Sequence, residues 1–375
     1  MVTATRQVPV TSEGQFYAVH IVESVTQIRG LINTEKTFLN ACESTLRPEF
    51  FLASASNNDW LPRVAVVTHG GVLRGILYAK EKRVGIVPTG LLYVDTTLCN
   101  MPIVDENERE AVFRAALETL LKRRGVLGLR LLLPPGGAEM AGTQGIPSAI
   151  PVDLCYAPAQ NHSQLMLPNH YETFLESLGH QTRRNFRYYR RRSEAANVKF
   201  IDKLSIDEFA SAASTLQNET LIKSGSKAIK RAIEMISATE RPLLVGLRHR
   251  DGEWLSILGG WYESESAVIF LQMNSDKRHR NASLSIVLRG YLLEWFILRG
   301  VKKVVFWAGS GGQLSRYAEY IPSIAVHLDK QSFLWKAVRH IVAPLISLLP
   351  GPVANLAQWI VPRTHQQNFD PDAGS

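Results

Sequence analysis

The sequence predicts a mixed α/β protein of two similar halves, followed by a C-terminal apolar helical segment. Three observations carry that expectation. The order strand, helix, β-meander, helix, strand can be read twice along the chain. The halves also align on their turns. Gly71-Val72-Leu73-Arg74-Gly75-Ile76-Leu77 falls on Gly252-Glu253-Trp254-Leu255-Ser256-Ile257-Leu258, an offset of 181. Arg124-Gly125-Val126 falls on Arg299-Gly300-Val301, an offset of 175. Offsets that agree this closely indicate duplicated domains, not a short-period solenoid. Finally, 375 residues exceed one ordinary core and suit two of roughly 150–190 residues.

Taken in order, residues 1–15 are polar and read as a flexible N-terminus. The first half is expected over 16–133. Phe16 to Ser24 reads as a strand, and Gln27 to Glu43 has closer to helical than alternating apolar spacing. Arg63 to Thr68 is a β-branched strand ending in the turn His69-Gly70-Gly71, and Val72 to Lys80 and Arg83 to Tyr93 read as two more strands. Glu106 to Arg124 predicts a helix, acidic at its start, basic at its end and closed by Gly125. Val126 to Leu133 is a buried-type strand. Residues 134–163, rich in Pro, Gly and Ala, read as a connection.

The second half is expected over 164–330. Pro242 to Arg248, Trp254 to Tyr262 and Ser266 to Met273 read as a meander around the Asp251-Gly252 turn. Ser283 to Arg299 is a helix ending at Gly300, and Val301 to Trp307 a buried strand. Each half is thus a twisted mixed sheet flanked by helices, with its last helix–strand step parallel.

Residues 331–375 are the C-terminal helical segment and tail. Ile341 to Pro362 runs 22 residues without a charge, long enough to span a bilayer. Pro344, Pro350-Gly351-Pro352, Asn355 and Gln358 interrupt it. The expectation is two short apolar helices that dock on the protein or lie in a membrane interface, with 332–362 as the membrane contact.

Composition narrows the class. Hydrophobic residues are 45% and charged residues 20%, which excludes wholesale disorder and fibrous folds. Lys plus Arg number 42 against 34 Asp plus Glu; if clustered, the excess indicates a phosphate-bearing partner or anionic membrane. Cys42, Cys99 and Cys155 form no Cys-x-x-Cys pair, and the ten histidines form no His-Glu-x-x-His. Neither a disulfide scaffold nor a metal is expected. Met1 to Gln15 holds no apolar core of signal-peptide length. The expected place is the cytoplasm, peripheral at the inner membrane face if the tail attaches.

The most informative run is Asp276-Lys277-Arg278-His279-Arg280-Asn281-Ala282-Ser283-Leu284, which joins a strand to a helix start. Free helix amides and a positive dipole there suit a phosphate or pyrophosphate. The alternative is an exposed basic loop. This run resembles the cofactor-binding segment of the GNAT acyltransferases, Arg/Gln-x-x-Gly-x-Gly/Ala, with Arg278-His279-Arg280-Asn281-Ala282-Ser283 in that frame. Asn281 and Ser283 stand where that family usually has glycine or alanine. The resemblance implies that Arg278, Arg280, Asn281, Ala282 and Ser283 cradle the pyrophosphate of acetyl-CoA or another acyl-CoA. Tandem halves, together with Leu178-Gly179-His180-Gln181-Thr182-Arg183-Arg184-Asn185-Phe186-Arg187, resemble the Fem-type and cellulose-cluster-type acyltransferases. The likeness covers most of 160–330 and, more weakly, 16–133.

Read physically, the helix after Leu178 carries Arg183, Arg184, Arg187, Arg190 and Arg191 on one side and apolar residues on the other. These charges face solvent, a cofactor phosphate, RNA or an anionic acceptor. The first half enters its helix through Asp105-Glu106-Asn107-Glu108-Arg109-Glu110, which repels a pyrophosphate, so only the second half is expected to hold the donor. The resemblance places a thiolate acid at Tyr317, with Tyr320 second; a packing tyrosine is the alternative. Gly309 to Gly312 lacks the Lys-Ser/Thr of a Walker motif. Candidate bases are Glu263, Glu265 and His249.

The function implied is an acyl-CoA-dependent N-acyltransferase acting on an amine acceptor, in envelope or polysaccharide metabolism. The alternatives are an aminoacyl-tRNA-dependent transferase, with tRNA as partner, and a non-catalytic basic adaptor at the membrane surface.

Overall fold

The structure, a computed structural model, describes residues 6–9, 16–56, 59–98, 100–134, 152–158, 162–220, 225–307 and 312–330. The expectations for 331–375 and for the glycine run 309–311 therefore lie outside the described residues. In chain order the first elements are β1 (Arg6–Pro9), β2 (Phe16–Val22), α1 (Val25–Thr34), α2 (Lys36–Ala41), α3 (Pro48–Ser54), β3 (Trp60–Pro62), β4 (Val64–His69), β5 (Val72–Leu77), β6 (Lys80–Val84), β7 (Val87–Asp95), α4 (Arg109–Lys122), β8 (Gly128–Leu133) and β9 (Val152–Pro158). Then come β10 (His162–Met166), α5 (Tyr171–Ser177), α6 (His180–Ala195), β11 (Val198–Ile201), α7 (Ile206–Leu216), α8 (Ser226–Ser237), β12 (Pro242–His249), β13 (Trp254–Glu263), β14 (Ser266–Asn274), α9 (Leu284–Leu298), β15 (Lys303–Phe306), β16 (Glu319–Ile321) and β17 (Ile324–Lys330). The fold is mixed α/β, as expected. Among the described residues no helix is long and apolar enough to cross a membrane.

The chain forms two compact units. One draws on Met1–Ile28, Asn58–Ala159 and Ser323–Ser375, the other on Arg29–Asn57 and Gln160–Pro322. In the first, β1-β2-β4-β5 make one sheet and β3-β6-β7-β8-β17-β9 another. Helix α4 buries Val112, Phe113, Leu117 and Leu120 in a core with Val19, Leu92 and Leu129. In the second, one sheet has the order β11-β12-β13-β14-β15-β10-β16. There α9 buries Val287, Leu292 and Phe296 against Leu258 and Val304. In both, the last helix leads to a strand parallel to the end of the meander: β8 beside β7, and β15 beside β14.

Five sequence expectations are corrected. Residues 6–9, expected to be flexible, pair with β2 as β1. The helix expected over Gln27–Glu43 is two, α1 and α2, separated at Glu35. The strands expected over 72–80 and 83–93 are three. β5 ends at Leu77, β6 begins at Lys80 in the other sheet, and a hairpin turns at Gly85, whose φ is +60°. A valine-rich run hides such a turn because its side chains favour strand on both sides. The connection expected at 134–163 contains β9, which lies antiparallel to β17. β17, expected in the second half, pairs with β8 from Ile324 opposite Leu133 to Asp329 opposite Gly128. The buried Arg130–Asp329 ion pair, 2.9 Å, joins the same two strands. Strand pairing across almost two hundred residues leaves no local pattern to read.

Candidate functional site in the second unit

The site is built where β14 and β15 part. The two strands pair in parallel only from Ser266 opposite Lys303 to Ile269 opposite Phe306, and the Trp307 amide donates to Ile269 at 3.0 Å. Beyond that, among the described residues, β14 pairs only with β13. At the parting point the β13–β14 register shifts: Gly259 lies opposite Leu271 and Gly260 opposite Ile269, so Phe270 is an extra residue. A bulge re-aims backbone amides. Only glycine fits at 260, since a Cβ there would lie 1.8 Å from the Val268 carbonyl oxygen.

From β14 the chain reaches α9 through the predicted basic loop. Ser283, before the first helical residue, has φ +48° and ψ +47°, a left-handed conformation that turns the chain into the helix. Its side chain makes no cap hydrogen bond, and the first-turn amides have no acceptor within the helix. These residues open onto a cavity of about 210 Å³ lined by Ser283, Leu284, Ser285, Ile286 and Arg289 of α9, with Phe186, Asp276 and Gly312 to Leu314. Arg289 was missed in the sequence. The available signal was one arginine inside the apolar run Leu284-Ser285-Ile286-Val287-Leu288-Arg289-Gly290. Its Nε donates to Gln272 Oε1 at 3.0 Å, and its guanidinium lies 5.3 Å from the Phe306 ring centre. Burial lowers its pKa to about 10, so it stays charged at neutral pH.

The predicted donor residues divide. Ser283 lines the cavity. Arg278 turns to two carboxylates, Glu219 at 2.9 Å and Glu253 at 2.5 Å, and hydrogen bonding to Glu219 chiefly raises its pKa. Arg280 is exposed, with no ion pair among the described residues. Asn281 is exposed and its carbonyl accepts from Arg192 at 3.2 Å. Ala282 packs against the core. Thus one predicted side chain, Ser283, reaches the cavity, because loop geometry rather than spacing sets the directions of the others.

The arginine face is partly neutralised. Arg187 pairs with Glu172 at 2.7 Å. Arg190 pairs with Glu194 and Glu294 and stacks on Tyr291. Arg183, Arg184 and Arg191 have no carboxylate partner among the described residues. The helix begins at His180, after a break at Leu178-Gly179 that separates α5 from α6.

Tyr317 stands beside the start of α6. Its hydroxyl oxygen accepts from the Gly179 amide at 2.7 Å, and its hydroxyl lies 3.5 Å from Thr182 Oγ1. Thr182 first, and Gly179 second, lower the phenol pKa below its usual 10. A Cβ on Gly179 would lie 2.9 Å from that hydroxyl. Tyr317 does not line the cavity but sits one turn after Leu314, which does, and its amide donates to Leu314 at 3.0 Å. Tyr320 is 54% exposed. Glu263 lies at the β13–β14 turn, the far end of β14 from the cavity, where it accepts from Trp261 Nε1 and burial raises its pKa. Glu265 shares that turn, and His249 pairs with Asp251 at 2.9 Å. None of the three candidate bases lines the cavity.

The sequence matches no protein-family profile and no curated protein. Solved structures share its fold. L-PGS from Bacillus licheniformis is 12% identical over 89% of this chain and 96% of that one, with a TM-score of 0.53. The C-terminal domain of a protein named as a lysylphosphatidylglycerol synthetase, from Agrobacterium fabrum, is 9% identical over 85% and 97%, with a TM-score of 0.52. A conserved protein of unknown function from Bacteroides thetaiotaomicron is 11% identical over 83% and 100%, with a TM-score of 0.52. At such identities the likeness establishes architecture alone. The chain has the mixed α/β fold that its sequence predicted, shared with these structures, and β14 parts from β15 in the second unit.

Proposed function

We propose that the chain is an acyltransferase that moves an acetyl or other acyl group from a coenzyme A thioester to an amine, in cell-envelope or polysaccharide metabolism. The observation that carries this reading is the parting of β14 from β15 beside the open start of α9. The residues fit such a donor. The amides of Ser283, Leu284 and Ser285 and the Arg289 charge favour a diphosphate, with Arg280 able to reach from the loop. Asp276, itself partnered, is the opposing charge in the lining. Beyond Ile269 the edge of β14, unpaired on that side among the described residues, offers amides and carbonyls to an extended amide-bearing arm.

The donor supplies an activated thioester. The amide re-aimed by the Phe270 bulge is the group we assign to polarising its carbonyl. The amine nitrogen forms the new C–N bond, the C–S bond breaks, and the departing sulfur takes a proton. Tyr317 is our candidate for that proton, since its lowered pKa makes it a better acid than an ordinary phenol. An amine acceptor that arrives charged must lose a proton to solvent or to a base the chain supplies elsewhere.

A second reading keeps the fold and takes aminoacyl-tRNA as donor. It is favoured by Arg183, Arg184 and Arg191, which have no carboxylate partner among the described residues, and by the fold shared with a protein named as a lysylphosphatidylglycerol synthetase. A thermal-shift panel with acetyl-CoA, a long-chain acyl-CoA and free coenzyme A separates the two. A ligand at 100 times its dissociation constant adds about 2.7 kcal/mol. A shift with at least one of the three is expected. No shift, together with tRNA binding that falls steeply with salt, would replace the first reading by the second.

A further inference from the structure

The β6–β7 hairpin of the first unit ends in an unusual tip. Gly85 makes the turn, with Arg83 opposite Pro88 and Val84 opposite Val87. Val84 is 52% exposed, Ile86 90% and Val87 62%, and Pro88 is exposed beside them. Single exposed apolar side chains are ordinary, but a cluster at the extremity of a hairpin marks a contact surface.

The same end of the unit is basic. The Leu127 amide donates to the Gly90 carbonyl at 2.8 Å, which sets the returning strand beside the end of α4. That end reads Lys122-Arg123-Arg124. Lys122 is paired with Glu118 and Arg123 with Glu23. Arg124 is exposed, with no carboxylate partner among the described residues. On the hairpin, Lys82 lies 3.8 Å from Asp59 and 5.0 Å from the centre of the half-buried Trp60 ring. β17 finishes here too: the Lys330 amide donates to Leu127 and its Nζ to the Arg123 carbonyl. At this end, therefore, the chain leaves toward residues 331–375, whose sequence holds the uncharged run from Ile341 to Pro362.

We propose that the β6–β7 tip is a docking site for an anionic lipid bilayer. Val84, Ile86 and Val87 enter the headgroup–acyl boundary, while Arg124 and Lys82 face lipid phosphates. An apolar wedge removes its own exposed surface from water on insertion, and flanking cations add attraction to anionic headgroups. Trp60, apolar in body with one polar N–H, sits where an interface suits it. This inference is independent of the donor reading.

The test is sedimentation of the full chain with phosphatidylcholine vesicles, with and without phosphatidylglycerol. The parent is expected to bind the anionic vesicles more strongly, and less so as salt rises. The double variant Ile86→Asp, Val87→Asp should lower the bound fraction about tenfold at an unchanged melting temperature. Lys82→Gln with Arg124→Gln should lower it severalfold and flatten the salt dependence. A parent that ignores vesicles overturns the proposal. So does an Asp variant that binds like the parent, which would put the contact elsewhere, such as at 341–362. A fall in the Asp variant's melting temperature would show that the chain itself covers the tip, and would overturn it too.

Discussion

The two units use the same local plan and differ where their parallel strands end. In the first, β7 and β8 stay together from Leu91 opposite Gly128 to Asp95 opposite Leu132, and the Thr96 amide still donates to Leu132. The chain that follows closes over β5: Ile76 donates to Pro102, and Val104 donates to Arg74. In the second, β14 and β15 separate after four residue pairs. The helices differ in charge at corresponding places. At an offset of 175, Arg114 falls on Arg289 and Glu110 on Ser285. Arg114 pairs with Glu110 at 2.7 Å, one turn earlier in α4. α9 has a serine there, and Arg289 lines a cavity. The buried positions are kept, Val112 with Val287 and Leu117 with Leu292. The two cores thus keep buried apolar residues at corresponding helix positions, while the strand ends and the residue one turn before the helix arginine differ.

The largest test of this contrast is Tyr317→Phe, which keeps the ring and removes the hydroxyl. Turnover, followed as coenzyme A release, should fall roughly 10²–10⁴-fold with donor affinity retained. A parallel loss of melting temperature would mark the hydroxyl as a structural acceptor for Gly179 instead. Next, Ser285→Glu rebuilds in α9 the pairing found in α4. Calorimetry should show coenzyme A affinity reduced about 10- to 100-fold, because a charge-assisted hydrogen bond is worth about 1.5–3 kcal/mol. Glu110→Ser in α4 should create no second donor site, because β7 and β8 remain paired. A second site would break the argument that the strand opening matters.

Smaller effects follow for the loop. Arg280→Ala should weaken coenzyme A binding by no more than about fivefold, as a solvent-screened charge does. Arg278→Ala should change it less, because Arg278 is committed to Glu219 and Glu253; a larger loss with Arg278 would mean that the ion pairs open for the donor. The smallest effect is in pH. If Tyr317 donates a proton, activity falls as pH rises through its pKa, which lies below 10. Thr182→Val removes the first cause of that lowering, so the alkaline limb of the pH–rate profile should move to higher pH. An unmoved limb would assign the proton to another group.

What could be read in advance was local. Helix α4 is marked by acidic residues at its start and Gly125 after its end, and α9 by an apolar run between a basic loop and Gly300. The hairpin at Gly85 was not legible, because its flanking valines read as strand throughout. Ser283 enters through the resemblance, and its left-handed conformation beside the cavity is not legible in the sequence. Arg278 was named for its charge, but its partners lie 59 and 25 residues away in sequence. Nothing in its neighbours says that it is already paired.

The sequence by itself determined the meander–helix–strand run in each half and the opposite charge at the two helix starts, since periodicity, capping and local charge act within a few residues. Only the tertiary structure decided that β9 and β17 complete the first unit's sheet, that β14 parts from β15 at a bulge, that Arg289 reaches a cavity and that the Tyr317 hydroxyl meets the Gly179 amide. Those outcomes depend on partners far apart in the chain, brought together by the burial of whole faces and by backbone groups that must find hydrogen bonds.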